Sequence, residues 1–426
     1  MTELADANYF TDSEITQDPH AYWDYLRSEG PVVREPHYGV LAVTGYQEVQ
    51  AAFKDFESFS AVNAIGGPFP PLPFTPEGDD ISELIEQHRH EFPIFEHMVV
   101  MDPPGHGKAR SLLSRLLTPR RLQENEDYIW SLADRQFDEF IANGQCEFLS
   151  EYGKPFATLA IADLLGVPDH DRLKIRQNLG AGGSPGGRPG SLHHQPVSSN
   201  PLQYLDDLFS DYIAERRETP REDVLTGLAT ATYPDGSVPP LLEVVRPATF
   251  LFGAGQETVT KLLSSAVQVL GDRPELQEQL HAERTLIGPF IEEALRLQSP
   301  TKVDFRLARK STTLGGVHVK AGTVIMLCLG AANRDPRKFD NPNEFRLDRK
   351  NVREHIAFGR GIHTCAGAPL ARVEGRVTIN RMLDRMADIQ VSESKHGPPG
   401  QRSYRYEPTF LLRGLTELHI EFTPTP

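Results

Sequence analysis

Apolar residues recur at helical spacing through much of this chain of 426 residues. The longest such stretch, 241–270, is mostly apolar and predicts a helix roughly 45 Å long at about 1.5 Å per residue. Tyr22, Trp23 and Leu26 share one side of a short predicted helix over 19–30. Residues 40–44 alternate as a strand does, and a helix follows from about Tyr46. Another helix opens near His106 and runs into Leu117, and 124–179 reads as helices broken near Gly153 and Pro168. Leu370, Val373 and Val377 mark the buried stripe of a helix running to about Met386. Strands are expected at 314–319 and 323–327, and a closing hairpin at 405–422.

Two stretches break this periodicity. Residues 66–76 hold five prolines and two phenylalanines, which excludes regular structure. Phe92, Ile94, Phe95 and Met98 follow. Apolar side chains on so long a loop fit either a cover over a binding site or a packed surface loop. Residues 180–201 are rich in Gly, Pro and Ser, as a linker would be. His193 and His194 within it read as exposed rather than as metal ligands.

Composition narrows the class. Apolar content of 39% with 24% charged residues marks a soluble globular protein. Length alone suggests two or three domains. A net charge of −15 argues against nucleic acid, whose phosphates need clustered Lys and Arg. Cys146, Cys328 and Cys365 are too few, and odd in number, for a disulfide framework. Residues 1–18 are polar and acidic, and no run of about 18 apolar residues occurs. A cytoplasmic protein with no membrane anchor is therefore expected.

Candidate chemistry concentrates at 355–386. Gly359, Gly361 and Gly367 surround Cys365 on a turn that opens into a helix, with Pro369 in the first turn. Free N–H groups and the positive end of the dipole favour a thiolate there, as nucleophile or metal ligand. In the long helix, Gly253 and Gly255 each cost about 1 kcal/mol relative to alanine. They suggest a flat group against the helix, or a bulge. Glu257 and Thr258 follow within one turn. His106 and Arg110 are four apart on one helix face, and Glu293 and Arg296 three apart.

Phe358, Gly361, His363, Cys365 and Gly367 spell F-x-x-G-x-H-x-C-x-G, which resembles the haem-binding signature of the cytochrome P-450 family. Three further segments resemble that family in the same order: D-P-P-x-H-x-x-x-R at 102–110, A-G-x-E-T at 254–258 and E-x-x-R at 293–296. The resemblance spans essentially the whole chain. It implies one P-450 domain over 1–426, mainly α (α+β), with a helix-rich part and a smaller sheet-rich part, against the multi-domain length prior.

The resemblance implies haem b (iron protoporphyrin IX) with Cys365 as axial thiolate, Phe358 and Gly359 beside it, and His106, Arg110, Arg306 and His363 on the propionates. Gly253 and Ala254 would let haem and dioxygen approach. Thr258 would hydrogen-bond the oxygen being activated or its water, and Glu257 would relay protons. Arg346 or Arg349 would replace an Arg that the family places at Glu344. Phe250, Leu251, Val303, Asp304, Phe305 and Phe410, with Leu411, would border the substrate. Asp304 would accept a hydrogen bond there or point to solvent.

The implied activity is hydroxylation or epoxidation of a small hydrophobic substrate (a terpenoid, a steroid or a substituted aromatic) by dioxygen. Electrons would come from a ferredoxin and its reductase, because no dinucleotide fingerprint and no flavin or iron–sulfur ligand set occurs. Lys108, Arg115, Arg120, Arg121 and Arg360 would form the face for an acidic ferredoxin. The alternatives are a peroxide-driven peroxygenase, a non-catalytic haem-binding protein, and a Cys–His hydrolase using Cys365 and His363. The Glu257–Thr258 pair counts against the first two, and no other residue supports the third.

Overall fold

The computed structural model describes residues 4–168, 170–172, 175, 190, 202–233 and 236–425. The linker-like run at 180–201, with His193 and His194, lies outside them apart from Gly190.

The long helix spans Leu241–Asp272 without interruption, two residues longer than the apolar stretch predicts. It is buried over most of its length because other helices pack around it: Lys154–Leu164, Gln203–Glu218, Gly105–Leu116, Ile287–Leu297 and Ala368–Arg385. Leu262, Leu263, Ala266, Val267 and Leu270 are all nearly inaccessible and anchor its C-terminal half. The helix Pro119–Asp138 starts where Thr118 accepts from the N–H of Arg121 at 3.3 Å, with Pro119 in the first turn. It lies beside the cysteine helix, Ala368–Arg385, through the pairs Arg376–Glu126, Arg381–Asp134 and Arg385–Asp138.

The sheet-rich part is a five-stranded sheet in the order Val32–Arg34, Leu41–Val43, Val324–Leu327, Asp304–Ala308, Phe59–Ser60. Only the pairing of Leu41–Val43 with Val324–Leu327 is parallel. Thr312–Leu314 and Val317–Val319 form a separate hairpin, so the run 314–319 turns back on itself instead of forming one strand. The closing segment is not the expected hairpin. Residues 406 and 415 share a single bridge, and His419–Pro424 pairs with Met386–Val391 and with Gln145–Glu147. Gln145–Glu147 lies inside the stretch that reads as helical. It is extended because a strand some 270 residues away supplies its partner, which no local pattern records.

Among the described residues, no helix is long and apolar enough to cross a membrane.

Candidate haem-thiolate site

Cys365 lies where the sheet-rich part meets the helices. Its N–H donates to the Phe358 carbonyl at 2.9 Å, closing a loop whose turns need left-handed backbone at Gly359 (φ +65°) and Gly361 (φ +71°). At Gly361 the close approach is to protein. A side chain there would strike the Phe53 carbonyl of the helix Tyr46–Lys54. Gly367 is different: a Cβ would find only Leu251 Cδ1 at 3.9 Å and the cysteine sulfur at 4.0 Å, so the glycine borders open space. Cys365 itself is exposed into that space. Surrounding protein pushes its thiol above the usual cysteine range, while the N–H groups of Gly367 and Ala368, Arg110 and Arg372 act the other way.

The imidazoles of His106 and His363 stand 4.3 Å apart, centre to centre. Burial, then Arg306, His106 and Arg110, push His363 down to about 2, despite its hydrogen bond to the Met101 backbone. His106 is also lowered, by burial, then Arg110 and Arg306, with Asp102 opposing. Nε2 of each ring is buried and makes no hydrogen bond. Two orphaned imidazole nitrogens beside two guanidinium groups are costly unless an anion joins them. Arg306 stacks on Phe53 and binds Asp304 at 2.8 Å. Asp304 therefore neither faces solvent freely nor stands alone: it shares the arginine.

On the long helix, Ala254 is exposed to the cleft and Thr258 Oγ1 donates to its carbonyl at 2.9 Å. Gly253 does not face the same way as Ala254. Its missing side chain points to Leu202 Cδ2, which a Cβ would approach to 3.1 Å. The glycine thus admits the neighbouring helix Gln203–Glu218, and no bulge is present. Phe250 is partly exposed, with its ring near His97, and Leu251 is buried close to Gly367.

Three residues expected to border the substrate lie in a packed cluster. Val303, Phe305 and Phe410 are almost wholly inaccessible in an aromatic cluster with Tyr9, Phe10 and Trp23. Asp304 and Arg306 share one face of their strand, so Phe305 between them must point to the other. Leu411 lies in the same cluster.

Behind the cysteine turn, Glu293 binds Arg296 through two contacts of 2.7 Å. Arg349, not Glu344, supplies the third side chain, at 3.0 and 3.2 Å, and Arg346 contributes only its backbone N–H. Sequence reasoning missed a second network. Glu292 binds His355 at 2.9 Å and Arg372 at 2.6 Å, and Arg372 stacks on Phe358. Burial alone would raise Glu292, but His355 and Arg372 outweigh it and hold its carboxyl at about 2. The adjacent acids at 292 and 293 were the available signal.

The basic face is weaker than its sequence suggests. Arg120 and Arg121 both bind Glu124, and Arg360 is turned onto the carbonyls of Glu354 and His355.

A family model for cytochrome P450 matches residues 192–396. "Cytochrome P450 144" of Mycobacterium tuberculosis is 33% identical over 410 residues, covering 92% of this chain and 88% of that protein. This chain belongs to the cytochrome P450 family. A Mycobacterium marinum cytochrome P450, CYP150A6 in its substrate-free form, is 60% identical over the full length of both chains, with a TM-score of 0.93. CYP109E1 of Bacillus megaterium, solved in complex with testosterone, is 26% identical with a TM-score of 0.76, over 95% of this chain and 99% of that one. The family makes this P450 a monooxygenase that uses a haem, dioxygen and redox partners. The residues fit such a group: an open cleft bordered by a soft sulfur ligand, and orphaned donors placed for anionic side groups.

One carboxyl in the cysteine helix carries a pH prediction for this P450. Glu374 is buried, and Oε2 has no partner. Burial raises its pKa well above the usual glutamate range. In the unfolded chain it ionises at ordinary acid pH, so folded stability falls as pH rises from that value toward the folded one. Glu374→Gln removes this loss. Melting temperatures from about pH 5 to about pH 8 should fall less steeply in the variant, which should be the more stable of the two near neutrality. Parallel curves would refute the assignment.

Proposed function

We propose that this P450 binds haem b through Cys365 and oxidises a neutral, largely hydrocarbon substrate with electrons from a ferredoxin and its reductase. The observation that carries the reading is the cluster of His106, Arg110, Arg306 and His363 beside Cys365, with two imidazole nitrogens lacking partners. Those donors would hold the propionates, and a thiolate at Cys365 would bind the iron. The bound haem supplies the activation of dioxygen, one atom of which enters a C–H or C=C bond while the other leaves as water.

The chain's own groups serve the remaining needs. Phe358 accepts the Cys365 N–H at its carbonyl, and its ring is covered by Arg372. Ala254, lacking bulk, leaves room over the haem face. Thr258 holds its hydroxyl by donating to Ala254, which leaves the oxygen lone pairs to accept a proton donor in the cleft. Glu257, one residue earlier and partly exposed, brings protons from water. Phe250 and Leu251 supply apolar wall, so ligand entry is driven mainly by burial at about 25 cal/mol per Å². The relative solved with testosterone supports a hydrocarbon ligand of that kind. An acidic ferredoxin suits Lys108 and Arg115, whose side chains meet no carboxylate among the described residues, on a protein of net charge −15.

A single sequence of measurements tests this. Terpenoids, steroids and substituted aromatics should convert the ferric protein from low to high spin, and sugars, amino acids and nucleotides should not. Compounds that do so should turn over with ferredoxin and reductase. In Thr258→Ala the product formed per nicotinamide oxidised should drop several-fold as electrons appear in hydrogen peroxide. Spin shifts confined to polar ligands, or full coupling in Thr258→Ala, would overturn the reading.

A further inference from the structure

Glu292 and Glu293 are neighbours on the helix Ile287–Leu297, and successive helical residues point about 100° apart. The two acids therefore serve different walls. Glu293 turns to Arg296 and Arg349, and Glu292 turns to the cysteine helix and the segment before the cysteine turn. The Glu292 side chain is only 4% exposed, whereas that of its partner Arg372 is 39% exposed. Nε of Arg372 donates to Oε1 at 2.6 Å, and a terminal nitrogen donates to Oε2 at 3.1 Å. His355 Nε2 meets Oε2 at 2.9 Å. Nδ1 of the same ring accepts the N–H of Ala357 at 3.2 Å, so the proton sits on Nε2 and the ring donates to the acid. Burial lowers His355 in spite of Glu292, which keeps the ring neutral at neutral pH.

Both partners of Glu292 reach Phe358. The guanidinium of Arg372 lies 4.7 Å from the centre of the Phe358 ring, and the ring of His355 lies 5.8 Å from it. Phe358 in turn takes the Cys365 N–H on its carbonyl at 2.9 Å. A half-exposed cation–π contact is too weak by itself to hold so free a side chain as arginine. A two-point bond to a buried carboxylate supplies the hold. The charge matters at the sulfur, because Arg372 favours the thiolate form of Cys365. A cation there also favours any state that carries more negative charge, reduced haem included.

We propose that Glu292 is a positioning residue for the axial thiolate, fixing Arg372 over Phe358 and His355 beside it, and so sets how readily the haem is reduced. This rests on the haem-thiolate reading above.

A potentiometric titration of the haem reads this without turnover. Arg372→Met removes the cation and should lower the reduction potential. Glu292→Leu frees the guanidinium to turn into water and should lower the potential too, although it deletes a negative charge. Were Glu292 only a charge, its loss would raise the potential. A raised or unmoved potential in Glu292→Leu therefore overturns the proposal. Arg372→Lys keeps the charge but cannot bridge both oxygens and lie flat on the ring. Its potential should still fall. A value equal to the parent's overturns the proposal, and does so even where Glu292→Leu fails to hold its haem. A parent protein without the thiolate carbon monoxide band would instead overturn the haem-thiolate reading.

Discussion

Replacing Cys365 by histidine is expected to abolish the red-shifted Soret band of the reduced, carbon monoxide-bound protein. The band reports sulfur ligation, and Cys365 is the cysteine placed to supply it. Cys146 and Cys328 are buried in the core, and burial pushes both thiols far up. At Cys365 the N–H groups of Gly367 and Ala368 and the charges of Arg110 and Arg372 oppose that effect. An imidazole at this place lacks the electron donation of a thiolate that favours O–O cleavage. Turnover should fall by more than about 100-fold, because changes to groups behind a ligand alone cost roughly 10–100-fold. Haem content, measured separately, distinguishes lost ligation from lost binding. A variant that keeps the band would refute the assignment of Cys365.

The largest expected loss of stability is at Glu293. Its carboxylate is fully buried and receives Arg296 and Arg349, both buried as well. Both guanidiniums also donate to backbone carbonyls, Arg296 to Asn333, Pro342 and Glu344, and Arg349 to Asp340, Asn341 and Glu344. The carboxylate is thus the negative centre that ties the helix Ile287–Leu297 to the loop leading to the cysteine turn. Glu293→Ala leaves two buried cations uncompensated, and breaking even one such pair costs about 3–5 kcal/mol. A loss of that size is a large part of the roughly 5–15 kcal/mol that holds a folded domain. Urea unfolding followed by fluorescence of Trp23 and Trp130 should show it, with haem content falling in parallel. Glu293→Gln, which keeps hydrogen bonds but not charge, should lose less. A loss under about 1 kcal/mol in Glu293→Ala would refute the role.

Much of this protein is legible in its sequence because local rules suffice for it. The helices at 241–272 and 368–385 follow from apolar spacing, and the second starts where Gly367 and Pro369 say it should. The turn bearing Cys365 follows from glycines whose positive φ no other residue adopts cheaply. Fixed spacing in a turn preserves relative position, so F-x-x-G-x-H-x-C-x-G carries its chemistry without the rest of the fold.

What the sequence could not decide depends on partners far along the chain. Gln145–Glu147 is a strand because His419–Pro424 pairs with it. Phe305 and Phe410 belong to an aromatic core, because strand alternation and the neighbours at Tyr9, Phe10 and Trp23 set their direction. Arg349 was one of two candidates for Glu293, and only packing chose its side chain over that of Arg346. Lys261 lies on the long helix. Its burial between Glu257 and Glu407, under Gly414, is set by a contact some 150 residues away. A side chain's environment is a property of what packs against it, and one-dimensional spacing records only the neighbours within a turn or a pleat.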